Sequence, residues 1–180
     1  MAHEEFILLG DALWLDFVNS ARGRTDPPAD RLPDADGWSR WSALHHLDGG
    51  DAVPLPQVLE FRARLTELAE ALHEGRVASS GVIAALNEQL GSSAGRQQLT
   101  RVAGTWRIRF APFCQPPSLG AIARSAAATL ADTRVAVRRC GAESCSLFFT
   151  DDSPTGGRRW CDAAVCGSRG RVERRRGAYR

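Results

Sequence analysis

Four cysteines toward the C-terminal end have the residue type and spacing to do chemistry: Cys140-x4-Cys145-x15-Cys161-x4-Cys166. Two pairs of matched spacing, separated by a loop, can close a tetrahedron around an ion, and thiolates hold zinc at about 2.3 Å. Four thiolates on Zn2+ leave a site charge of about −2, which nearby donors and arginines offset. Arg138, Arg139, Arg158 and Arg159 are the close arginines in sequence. Gly141 and Gly167 each follow a cysteine, where glycine tolerates positive φ and lets amides turn toward sulfur. Sulfur fills all four positions and leaves none for water, so the expected Zn2+ is structural. Other uses fit less well. Disulfides persist in oxidising compartments, and MAHEEFILLGDALWLDF carries Glu4 and Glu5 where an export signal carries Lys or Arg. A thioredoxin-like pair is C-x-x-C near a βαβ unit, and evenly paired x4 spacing suits an iron–sulfur cluster poorly. Cys114 stands outside the pattern and reads as an ordinary interior thiol.

A basic run follows the last cysteine: GSRGRVERRRGAYR. The formal charge of +2 hides an asymmetry. Residues 1–133 hold 12 arginines against 16 acids, whereas residues 134–180 hold 11 against 5, and the chain has no lysine. Arg is the better fork for phosphate and for guanine edges, so a nucleic-acid partner is expected at this end. On a helix, Arg169, Val172 and Arg176 share one side, with Arg171, Arg174 and Arg175 over the rest. Val172 would anchor it, while Gly170 weakens it and Gly177 ends it. The candidate DNA contacts are Arg158, Arg159, Ser168, Arg169, Arg171, Arg174, Arg175 and Arg176. Phe148, Phe149 and Trp160 are expected to pack around the metal, and Tyr179 either touches nucleic acid or belongs to a frayed tail.

The elements that position this module are mostly helical. Asp11 reads as an N-cap for a helix ending near Gly23, with Leu13/Phe17 and Trp14/Val18 as i,i+4 pairs on one apolar face. WSRWSALHHL is a short helix carrying Trp38 and Trp41, whose expected fate is burial. Leu55 to Arg76 follows the 3.6 period, with Gly75 as C-cap. SSGVIAALNEQLGSS is serine-capped and stops at Gly91. Gln98 to Phe110 alternates around a Gly-Thr turn and predicts a β-hairpin, and an Ala-rich helix starts at Pro117 and Ser118. The fold class is therefore mainly α with a small β-hairpin (α+β), followed by a small C-terminal four-cysteine zinc-finger module.

Asp16 and Asn19 are the polar residues on the otherwise apolar first helix. A structural network to the hairpin is one reading; a ligand pocket of Trp14, Asp16 and Asn19 is the other. His3, His45, His46 and His73 are scattered. The sequence has no Ser-His-Asp arrangement, no H-x-x-x-H pair and no phosphate-cradling loop, so no enzyme activity is expected. No apolar run approaches the roughly 20 residues of a membrane helix. With the thiols reduced, the chain reads as cytoplasmic.

The cysteine block resembles the CGNR zinc finger, named for the residues at its last cysteine. Here the signature reads Cys166-Gly167-Ser168-Arg169, with serine where the family has asparagine. RRWCDAAVCG and the basic stretch after it also match. LGDALWLDFVNSARGR resembles the start of the ABATE domain, which commonly precedes that finger. Together the resemblance covers nearly the whole chain. It implies a bacterial stress-induced transcriptional regulator, with DNA binding by the finger and ligand sensing by the larger domain. If the family's asparagine reads adenine, Ser168 has lost that contact; if it caps the helix, serine can substitute. The expected division is an ABATE-like helical sensor domain over 1–133 and a CGNR-type finger with its basic helix over 134–180. Zinc removal would then unfold 138–176 and spare most of the helical body. Double-stranded DNA is the expected partner, and a small-molecule effector fits the larger domain. RNA binding and docking on an acidic protein surface stay open as alternatives. No dimer element is evident.

Overall fold

A short helix buried on nearly every side organises the molecule. The computed structural model describes residues 6–9, 11–25, 27–47, 53–91, 95–112 and 117–168. Cys114, Arg169 to Arg176 and Tyr179 lie outside them. The central helix, α1 (Leu13–Asn19), buries Trp14, Leu15, Asp16, Phe17, Val18 and Asn19. It packs on α3 (Leu55–His73) and α5 (Ser118–Ala131). The i,i+4 pairs thus belong to a helix apolar nearly all round, as a core helix is. α2 (Ala35–Leu44) brings Trp38 and Trp41 to stack with ring centroids 5.6 Å apart, with Phe17 5.2 Å from Trp41. α4 (Ser80–Gly91) packs on α3 and α5.

Local chemistry sets the helix ends. Asp34 caps α2, its Oδ1 accepting from the Gly37 N–H at 2.8 Å. α3 ends in a Schellman motif: Arg76 N–H donates to Ala71 O and Gly75 N–H to Leu72 O, with Gly75 at φ +69°. Ser79 Oγ accepts from Val82 N–H at the start of α4. Asp11 does not cap α1. The N-cap is Ala12, without a side-chain bond, because Asp11 is turned toward Arg158 instead.

Two antiparallel hairpins complete the fold. β1 (Gly95–Val102) pairs with β2 (Thr105–Pro112), three residues longer at its start and two at its end than the alternation predicts. Its turn is Ala103-Gly104, both at positive φ, which matches the twist of the strands. Gly95 is required at the open end of the hairpin: a Cβ would collide with the ring of Phe110. β3 (Ala136–Arg139) pairs with β4 (Phe148–Asp151), and β4 is buried throughout. Val137 and Phe148 join the core of α1 to α5, whereas Phe149 and Leu147 join a second cluster with the cysteines. Phe148 therefore faces the helical body, not the metal side as expected, because adjacent strand residues point to opposite faces. Among the described residues no helix is long and apolar enough to cross a membrane.

Candidate metal centre

The strand pair β3–β4 presents the first two cysteines. Cys140 follows β3, its N–H donating to Leu147 O at 2.9 Å, and Cys145 closes a turn onto Ala142 O. Asp162 presents the other two. Its Oδ1 accepts from Ala164 and Val165 N–H, and its carbonyl from Cys166 and Gly167 N–H, which winds a helical turn beginning just past Cys161. All four sulfurs are buried and lie within 4.8 Å of one another. Sulfurs 2.3 Å from a tetrahedral zinc ion sit about 3.8 Å apart; Cys145 and Cys161 are 3.8 Å apart, Cys161 and Cys166 3.6 Å. A disulfide needs about 2.05 Å, and the four thiols are free.

The electrostatics of the donor set also fit a cation. Hydrogen bonds from the Cys145 and Cys161 thiols pull Cys140 down to about 2. The same bonds push Cys145 up to about 12 and push Cys161 up. Cys140, Cys145 and Cys161 thus oppose one another's ionisation, and a divalent ion relieves that repulsion. The residues fit structural Zn2+, held by Cys140, Cys145, Cys161 and Cys166.

The Arg159–Trp160 segment crowds the two glycines. A Cβ on Gly141 would meet the Arg159 carbonyl oxygen at 3.3 Å, and one on Gly167 the Trp160 ring at 3.2 Å. Neither glycine has positive φ, so close approach of this segment, not backbone freedom, favours glycine. The amides bond to carbonyls, Gly141 N–H to Arg159 O and Gly167 N–H to Asp162 O. Cys161 N–H points to the Cys140 sulfur at 3.5 Å.

The arginine at the sulfurs is one that the spacing misses. Arg24 lies against Cys161, with Nη2 3.4 Å from Asp162. Burial alone would lower its pKa; the Cys161 and Cys166 sulfurs and Asp162 reverse the sign and raise it. Arg158 turns inward instead, donating to Asp11, Thr150 O, Trp160 O and Cys161 O and lying over the Phe149 ring. Arg138 pairs with Asp151 at 2.9 Å. Arg159 is exposed over Trp160. Ser168 Oγ donates to Ala164 O and Val165 O, folded back on its own turn.

The stretch from Leu9 to Arg24 grips this module along its length. Asp16 accepts from Leu9 N–H, and Asp11 pairs with Arg158 at 3.0 Å. Asn19 acts as a surrogate strand: Nδ2 donates to Phe148 O and Oδ1 accepts from Phe148 N–H, both at 2.9 Å. Arg22 covers the Phe148 ring, and Gly23 exchanges bonds with Ser146. Trp14 is closed in as well, its Nε1 donating to Thr129 at 2.9 Å. The polar atoms of Trp14, Asp16 and Asn19 engage Thr129, Leu9 and Phe148, so the network they form runs to α5, the N-terminal stretch and β4, not to the Gln98–Phe110 hairpin.

Two family models match the chain. ABATE, described as "Putative stress-induced transcription regulator", matches residues 11–133, and the CGNR zinc finger matches 136–177. Neither description is of an enzyme. No curated protein matches the chain.

Proposed function

The chain belongs to the ABATE family, and from that premise we propose that it is a cytoplasmic transcriptional regulator that binds double-stranded DNA through its zinc-held C-terminal module. One observation carries the reading: a closed four-sulfur site whose last turn, capped by Asp162, leads straight into the arginine-rich tail. A staple ordered by zinc directly ahead of the cationic run in sequence is what would set that run against a phosphate backbone. Arg159 and the arginines at 169, 171 and 174–176 are the proposed contacts. Arg158 serves the fold. Ser168 donates back to the carbonyls of its own helical turn, which engages its hydroxyl away from base reading. Reduced thiols suit the cytoplasm.

Effector sensing fits the same frame. A ligand that displaced α1 would move β4 through Asn19, and with it the zinc module.

Enrichment from a random duplex library at near-physiological salt tests DNA binding, with the Arg169→Ala, Arg174→Ala double variant alongside. One short motif, enriched by the parent and lost in the variant, is expected. Failure to enrich duplex alongside capture of single-stranded RNA loops would replace DNA with RNA. A flat salt dependence would replace both with an acidic protein surface, because phosphate contacts give a steep slope.

A further inference from the structure

The β1–β2 ribbon has two unlike faces, and among the described residues both are largely exposed, with Arg124 of α5 lying over the Phe110 ring at 5.6 Å. Paired residues of an antiparallel ladder share a face. Gln97↔Phe110, Leu99↔Ile108 and Arg101↔Trp106 therefore lie on one side. Arg96↔Ala111, Gln98↔Arg109 and Thr100↔Arg107 lie on the other. The first face is apolar and open: Leu99 is 61% exposed, Trp106 63%, Ile108 69% and Phe110 49%. No residue of the ribbon belongs to either apolar core of the described residues. A lone two-stranded hairpin is marginal in water, so this face calls for a cover.

We infer that the cover is the same face of a second copy, and that the protein is a two-fold dimer joined through this ribbon. Three observations select that occupant. The ribbon contains four arginines and no acid. A nucleic acid would be drawn to the arginines of the opposite face and would leave the apolar side chains in water. Its apolar face is self-complementary, with Trp106, Ile108 and Phe110 along one strand and Leu99 opposite Ile108. Arg101 is held to the turn end, stacked on Trp106 at 5.9 Å, where it sits at the rim of a paired interface. The area is also sufficient. With aromatic side chains of 150–250 Å², the face offers on the order of 500 Å² per copy and about 1,000 Å² in the pair, the lower bound for a specific interface. A two-fold axis through Leu99 and Ile108 packs like on like and turns both basic faces outward.

Sedimentation equilibrium of the full zinc-loaded chain, from about 1 to 100 μM, tests this. The expected species is a dimer. Trp106→Ser with Ile108→Ser should weaken it at least tenfold, while Arg107→Ser with Arg109→Ser on the other face leaves it intact. Because the ribbon lies outside both cores, far-UV dichroism and the thermal midpoint should hold. Should the apolar-face variant lose them, Ile108→Cys in a Cys114→Ser background gives an independent measurement. A short bis-maleimide should then link two chains at residue 108. A monomer at the highest concentration overturns the inference. So does a dimer indifferent to Trp106 and Ile108, open-ended association, or a monomer whose DNA affinity falls with the apolar-face variant, which would make nucleic acid the occupant.

Discussion

The molecule contains two hairpins of similar topology and opposite circumstance. β3–β4 is short, four residues a strand, yet β4 is wholly buried. β1–β2 is twice as long, yet nearly all of it is exposed. The difference lies in what each is fastened to. β3–β4 is clamped by Asn19, covered by α1 and α3, and tied at its loop by two zinc ligands. β1–β2 has its own ladder, its turn and an arginine of α5 over Phe110. Strand length does not decide the security of a two-stranded sheet; the surfaces that close its faces do.

The largest test of that comparison removes the metal. Cys161→Ser should abolish stoichiometric zinc, read by metal analysis after gel filtration, and with it the order of the finger. Because Val137 and Phe148 belong to the helical core, thermal denaturation should show the body weakened too. A body with an unchanged midpoint would restore the picture of a finger that unfolds alone. Next in size is Phe148→Ala, which should cost about 3–5 kcal/mol in urea denaturation, as for a fully buried ring. Asn19→Ala leaves the Phe148 N–H and C=O unpaired in the interior and should cost about 1–3 kcal/mol by the same measurement.

Arg24→Gln probes the charge at the sulfurs. Outer-shell partners typically contribute 10–100-fold in metal affinity, so competition against a chelator should show a loss of about that size, with little change in secondary structure. A smaller effect is expected in acid. Burial would raise the Asp30 carboxyl, but Arg62, bonding both oxygens at 2.8 and 2.6 Å, holds it below the ordinary 3.8. The stability this pair adds is present above 3.8 and is lost as pH falls through the lowered folded value. Asp30→Asn should therefore flatten that part of the acid limb of a stability–pH curve.

Much of this was legible in the residues. The four cysteines announce themselves by type and spacing, and the long helix by its period and Gly75. The Gly95–Pro112 ribbon appears as alternation, though its ends, poor in strand formers, do not. The grip between Leu9–Arg24 and the zinc module was not legible. A hydrogen bond from Asn19 to Phe148 spans 129 positions, and no local pattern encodes such a partner. For the same reason Asp11 reads as a cap, and Asp16 and Asn19 leave a network and a pocket both open: a polar side chain in an apolar helix shows that a partner exists without saying which. Arg158 shows the converse error. An arginine beside a cysteine in sequence looks available to phosphate, yet its donors meet the carbonyls of Thr150, Trp160 and Cys161. Arg24, distant in sequence, lies at the sulfurs.

The Asn19–Phe148 clamp also sets an order of events during synthesis. The first helix is made early, but the strand that satisfies its amide arrives 129 residues later. At roughly 5–20 residues per second that is a delay on the order of ten seconds. Through that interval the nascent helical body lacks one wall, and its Asn19 faces water. The finger is thus the last piece of the body's own interior, and the chain becomes a finished protein only when its C-terminal cysteines have been made.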